Sequence, residues 1–341
     1  MKMIFARTKL LFPLGLILFL ITSSIHSQTK TYSIAFGSCD NQRLKNELWK
    51  SIDENLPVAW IWGGDNVYSD TEDMNALKEN YAIQKNDADY LEFMANKQIL
   101  GTWDDHDYGL NDGGEEYPYK RASQQLLLDF LGTSKDAPER FRDGVYNSRL
   151  INVDGNKVKI IVLDTRFFRT AVTKSLNSKK RFQPNHYGQG TILGEAQWKW
   201  LEQELNSSEA PFNVIVSSIQ LLSDKHGFEC WGNFPHEIDK LEKIIVASKA
   251  KGTFIISGDR HIATFSSKKV PNLNYPLVDF TSSGLTHVYS SFSGEENPYQ
   301  IGKVVAEKNF GLLQFDFTNH LVIMQIRGAE NNLLSEHIQQ Y

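Results

Sequence analysis

Val58-Ala59-Trp60-Ile61-Trp62-Gly63-Gly64-Asp65-Asn66-Val67-Tyr68 is a short apolar run that ends in two glycines and a string of residues able to bind metal. Its length and composition predict a strand over 58–62. The glycines before the acid permit a tight turn that brings carboxylates close together. The same arrangement recurs at Gly37-Ser38-Cys39-Asp40, at Trp103-Asp104-Asp105-His106-Asp107 and at Ser257-Gly258-Asp259-Arg260-His261, each at the end of a predicted strand (32–36, 99–103 and 253–257). One acidic loop reads as a solvated turn; four in one chain call for a common explanation.

Working outward, stretches of helical periodicity lie at 44–54, 74–95 and 194–205, the last with Trp198 and Leu201 at helical spacing. Further strands are expected at 158–163, behind the hairpin signal Asp154-Gly155, and at 213–217. The alternation predicts βαβ units. Beyond them, 278–281, 303–306, 312–317 and 321–326 are separated by short polar turns and predict a β meander. No internal repeat or Pro/Ser-rich linker divides the chain, so 28–341 is expected to be one α/β domain, a two-layered sheet sandwich flanked by helices. The irregular segments 111–118, 170–189 and 222–234 are candidates to line an active site.

Lys2, Arg7 and Lys9 precede an apolar run over 10–21 and then Ser23, Ser24 and Ser27, the pattern of a secretory signal peptide over 1–27. The apolar run is shorter than the ~20 residues of a spanning helix. Cleavage would therefore leave a periplasmic or extracellular protein without a membrane anchor. It would remove three basic and no acidic residues, taking Lys+Arg from 36 to 33 against 41 Asp+Glu and the net charge to −8. Such a field repels polyanions, so no nucleic-acid partner is expected. Cys39 and Cys230 are the only cysteines, and in an exported protein two cysteines suggest a disulfide, a reading weighed here against a metal role for Cys39.

In sheets flanked by helices, ligands gather at the carboxyl ends of strands. Several carboxylates crowded there repel one another unless cations compensate, which predicts a di- or trinuclear metal centre. Asp and Asn oxygens suit Ca²⁺, Mg²⁺ or Mn²⁺, whereas His, Tyr phenolate and Cys thiolate suit iron or zinc. No GxSxG nucleophile elbow is present in the sequence. A glycosidase using paired carboxylates would leave Cys39, Tyr68 and the histidines without a task.

The ordered motifs GSC, GDNVY, WDDHDYGLND, LDTR, LGEAQWKWL, SSIQ and SGDRHIA run through about 33–265 and resemble the alkaline phosphatase D (PhoD-like) family of metallophosphatases. The resemblance implies a calcineurin-like αββα sandwich of two mixed β-sheets flanked by helices. It also implies Fe³⁺ and Ca²⁺ as cofactors, with Mn²⁺, Mg²⁺ or Zn²⁺ as alternatives. The implied activity is hydrolysis of phosphomonoesters and phosphodiesters by metal-activated hydroxide, with a small-molecule phosphate ester as the partner. Carried over by position, Asp65 would bridge the metals, Cys39 and Tyr68 would bind iron, Asp105 would be a ligand, and Asp259 and His261 would close the site. His106 would stand beside the leaving group as proton donor or phosphate contact, with Asp104 behind the ligands. Asn111 is a candidate calcium ligand on its oxygen chemistry. Arg166 is either a phosphate contact or half of a structural ion pair. Gln220 is a supporting or substrate residue, and His226, Glu229, Trp231 and His236 form either a substrate rim or a surface loop. Trp60, Trp62, Trp198 and Trp200 read as core aromatics. The rival reading is a catalytically inactive, calcium-stabilised secreted binding protein on the same fold, against which the retention of His106 and His261 argues, since structural calcium needs only oxygens.

Overall fold

The computed structural model describes residues 32–176 and 179–341, so the signal-peptide reading of 1–27 lies outside the described residues. β1 (Tyr32–Gly37), α1 (Trp49–Asp53), β2 (Ala59–Gly63), α2 (Met74–Lys85), α3 (Ala88–Met94) and β3 (Gln98–Thr102) form two consecutive βαβ units with parallel strands. α4 (Asp105–Tyr108) and α5 (Lys120–Phe130) lead to a hairpin of β4 (Asn147–Val153) and β5 (Asn156–Val162), which turns at Asp154-Gly155. A short ribbon of β6 (Thr173–Lys174) and β7 (Phe182–Gln183) precedes α6 (Gly194–Asn206), β8 (Phe212–Val216), α7 (Pro235–Ala247) and β9 (Thr253–Ser257). The chain continues with β10 (Ala263–Lys268), β11 (Leu277–Ser282) and β12 (Gln300–Val305), and ends in β13 (Phe310–Asp316), β14 (Leu321–Arg327) and β15 (Leu333–Gln340).

These strands make two mixed sheets, ordered β15-β14-β13-β1-β2-β3 and β12-β10-β11-β9-β8-β5-β4. Each contains a parallel set: β1, β2 and β3 along one side of the first, and β5, β8, β9 and β11 in the middle of the second. The sheets pack face to face through Ile34, Phe36, Ile61 and Phe315 from one and Ile160, Val214, Phe254 and Phe280 from the other. Phe36 and Phe280 meet edge to face at 4.8 Å. Alternate residues of the central strands point outward, and helices cover them. Trp60 and Trp62 of β2 pack with Trp49, Tyr90 and Phe93 of α1 and α3, while Ile161, Ile215 and Ile255 pack with Trp198, Leu201 and Leu241 of α6 and α7. Burial of each such side chain contributes about 1.5–3 kcal/mol. The result is the expected αββα sandwich.

Three sequence expectations are corrected. The helix expected over 74–95 is two helices, because Asp87 caps the second by accepting from the Tyr90 amide at 2.9 Å. The helix expected from 44 begins only at Trp49. The C-terminal meander comprises β13–β15 alone, since β11 lies parallel to β9 and β12 beside β10 in the other sheet.

Candidate metal centre

Parallel strands send their carboxyl ends the same way, so the loops after β1, β2, β3, β9 and β11 converge. Gly64 and Gly258 make the approach close enough. A Cβ on Gly64 would stand 2.7 Å from the Asp104 Cβ, and one on Gly258 would stand 2.7 Å from the Gly63 carbonyl oxygen. Four of the residues brought together are held at left-handed φ with no glycine to ease it: Cys39 (61°), Asp65 (51°), Asp259 (70°) and His261 (53°). Non-glycine residues in this region cost energy and persist where the surrounding structure over-determines them, commonly at functional sites.

Three donor groups interlock there, each with its ligand atoms within 4.8 Å of one another: Cys39, Asp65 and His261; Asp65, Asp105 and His106; and Asp104, Asp105 and Asp259. Asp65 belongs to the first two and Asp105 to the last two, a sharing that a row of neighbouring cations requires. Asp65 Oδ2 lies 3.4 Å from Cys39 Sγ and 3.3 Å from the Tyr68 hydroxyl, and its Oδ1 accepts from the His106 amide at 3.3 Å. The Tyr68 hydroxyl is also 3.0 Å from His261 Nε2. Asn111, exposed in the loop after α4, donates to Asp105 Oδ2 at 3.2 Å, and the Asp112 amide donates to the same oxygen at 2.8 Å.

The electrostatics test whether a cation fits. Burial pushes the Cys39 thiol up to about 12. Burial, then Cys39 and Asp105, holds the Asp65 carboxyl well above its ordinary value, and burial with Asp104 does the same to Asp259. Tyr68 is raised by burial, Cys39 and Asp65. Burial alone would lower His106, but Asp65, Asp70 and Asp105 outweigh it and hold its imidazolium up to about 10. A cation among these donors would reverse each of the acid shifts by favouring the charged forms. Asp104 Oδ2, buried and without a hydrogen-bond partner among the described residues, is a further polar atom that a cation would satisfy. Donor types, sharing and electrostatics thus fit metal ions.

Arg166 is placed differently from a phosphate contact. It is fully buried, its fork pairs with Asp104 and Glu229, and its Nε donates to Asp104 Oδ1 at 2.6 Å. Of its two readings, the geometry matches the structural ion pair. Arg169 bonds the other oxygen of Glu229 at 2.7 Å, so two buried arginines tie the 222–234 loop beneath the cleft. Gln220 is fully buried and donates to Thr281 Oγ1 at 2.8 Å. The 226–236 cluster divides. Glu229 lines the cleft, with Phe228 beside it, whereas His226 is buried, Trp231 lies in the core and donates to Ser217 Oγ at 3.0 Å, and His236 faces the Gly190 carbonyl oxygen at 3.1 Å. Trp60, Trp62 and Trp198 are buried core residues, and Trp200, also on α6, packs partly buried against the same core as Trp198.

The cleft has a volume of about 430 Å³ and is lined by Asp105, His106, Asn111, Asp259 and His261, together with residues the sequence reading passed over. Arg181 and Arg260 are two of them. His287 is another close neighbour, its ring meeting Tyr68 at 4.9 Å and His261 at 4.5 Å between centroids. A signal for it was present: Ser282-Ser283-Gly284-Leu285-Thr286-His287 follows β11 as the other ligand-rich loops follow their strands.

The sequence model of the PhoD-like phosphatase family matches residues 148–328, a stretch that includes Asp259 and His261 and leaves Cys39, Asp65, Tyr68, Asp105 and His106 resting on the spatial arrangement. Alkaline phosphatase D of Bacillus subtilis is 22% identical over 218 residues, covering 57% of this chain and 36% of that protein. The match thus spans about a third of that relative's length. Among solved structures, PhoD superposes with a TM-score of 0.70 at 17% identity, covering 91% of this chain and 68% of the other. GAP50, the anchor in the inner membrane complex of Plasmodium, gives 0.58 at 12% identity over 91% and 89%. A dimetal phosphatase from Danio rerio gives 0.53 at 10% identity over 91% and 99%. At these identities the likenesses concern the fold.

Proposed function

The chain belongs to the PhoD-like phosphatase family, and from that premise we propose that it is a metal-dependent phosphoesterase acting on small phosphomonoesters, phosphodiesters or both. The observation that carries the reading is the interlocking of three donor groups through Asp65 and Asp105 at the converging strand ends. Cys39, Asp65, Tyr68 and His261 would hold iron, and Asp65, Asp105, Asp259 and Asn111 a harder ion such as calcium. When bound, the ions would supply Lewis acidity toward the phosphate oxygens and acidify water. The chain's own contribution is positional. His106, its Nδ1 2.7 Å from Asp70 Oδ2, stands in the cleft as a cation able to contact phosphate or pass a proton to the leaving oxygen. The left-handed loops hold the donors in place. The N-terminal segment would direct export, which fits an enzyme acting on extracellular phosphate esters.

A second reading has one observation behind it, the likeness of the fold to GAP50, described as an anchor. Fold does not decide between a catalyst and a binding protein; the site does. A histidine and a thiol among the donors, with His106 beside them, exceed what structural calcium needs. The test is turnover of nitrophenyl phosphate mono- and diesters before and after verified removal of metal. Removal should abolish turnover and readdition should restore it, whereas full activity in metal-free protein would end the proposal.

A further inference from the structure

Beyond the metal-ligand candidates, the cleft is lined by two arginines, Arg181 and Arg260, and by the Phe228 ring. Arg260 stacks its guanidinium 4.1 Å from the Phe228 ring centroid and pairs with Glu295. Arg181 pairs with Asp112, and its amide and that of Phe182 both donate to the Gly227 carbonyl oxygen, at 2.9 and 2.8 Å. The loop carrying Arg181 is therefore tied directly to the loop carrying Phe228. The two residues are complementary: Arg260 is held, with a side chain 9% exposed, while Arg181 is 52% exposed.

Neither arginine is exhausted by its partner. A guanidinium has five N–H donors. Arg260 gives Nη2 to Glu295 and keeps Nε buried without a hydrogen-bond partner among the described residues. Stacking fixes its plane in advance, which reduces the entropy lost when a further anion is bound. The cleft is also larger than one phosphate group needs, and it falls within the range of pockets that hold whole small ligands. Its remaining acids, Asp112 and Glu229, would repel a second negative group unless cations served it.

We propose that Arg181 and Arg260, which line the cleft with Phe228, form a second anion subsite, so that the preferred substrate is a phosphate ester whose leaving group carries another anionic group, phosphate or carboxylate. This rests on the hydrolytic reading of the cleft. The test is equilibrium binding to the metal-loaded protein of three non-hydrolysable probes of one carbon length: propyl phosphonate, propane bisphosphonate and phosphonopropanoate. A charge-assisted pair predicts about tenfold tighter binding of the doubly anionic probes. Preference for both, or for the bisphosphonate alone, supports the subsite and identifies the group it takes. In Arg181→Ala the preference should fall severalfold, and a parallel fall in Arg260→Ala would place both arginines in it. Arg181 is half exposed, so its variant keeps the test open if Arg260→Ala does not fold. Equal affinity for all three probes overturns the inference. So does a preference that survives Arg181→Ala undiminished, which would assign it to chelation by the metals. Nitrophenyl phosphate turnover by the same preparation reports separately on the hydrolytic reading.

Discussion

His106 is held from two sides. Asp70 Oδ2 lies 2.7 Å from its Nδ1, and the Tyr68 ring packs against it with centroids 4.2 Å apart. Fixed in this way it can meet the leaving oxygen of a bound ester without sacrificing entropy at each turnover. His106→Ala should lose roughly 10²–10⁴-fold in turnover, the range of a proton-transfer role, while keeping its metal. Wild-type turnover in the variant, read beside its metal content, would remove the assignment. The two cysteines make a second prediction at this scale. Both are buried free thiols; Cys39 lies 3.1 Å from Ser283 Oγ, and burial pushes Cys230 up to about 12. Denatured protein should take two alkylating groups, and Cys230 should react slowly in the folded state. A mass corresponding to a Cys39–Cys230 bridge would contradict both the geometry and the proposed ligand role of Cys39.

The loop over 222–234 carries a buried histidine that ties its stability to pH. His226 is buried, and burial followed by the charges of Arg260 and Lys180 lowers its pKa well below the ordinary value. Its Nδ1 accepts from the Phe228 amide at 3.1 Å, so the native ring is neutral. An unfolded chain would protonate this histidine near pH ~6.5, before the folded one does. The stability it contributes is therefore present above that pH and is lost as the pH falls toward the folded value, at a slope of up to about 1.4 kcal/mol per unit. Wild type should lose a few degrees more Tm than His226→Asn between pH ~7 and ~5; equal losses would show that His226 is not buried and neutral.

The same scale separates what the sequence disclosed from what it hid. The candidate ligand loops were legible because each is an apolar strand followed by residues able to bind metal, three of them with a glycine at the turn, a local pattern. Arg166 was ambiguous because the sequence gives no sign that Glu229, 63 positions away, reaches it. β12 was assigned to the wrong sheet for the same reason: pairing partners of antiparallel strands are set by the whole sandwich. Arg181 lies in an irregular loop whose position depends on a backbone bond to Gly227, a contact with no sequence signature.

At the scale of the whole molecule, two sheets bring five strand ends to one place, and the core between them fixes that convergence. The donors cannot relax apart, because their loops are anchored to buried strands. An ion that binds only this folded arrangement stabilises it by mass action, so metal and fold are coupled. The central claim is that the convergence exists to hold metal, and elemental analysis of the purified protein tests it most directly. The account predicts more than one tightly bound ion per wild-type chain, with iron among them, and loss of metal from Asp65→Ala, because Asp65 joins two donor groups. A folded wild-type protein that retained no metal when purified and then exposed to iron and calcium, or an Asp65→Ala variant with undiminished metal, would contradict it.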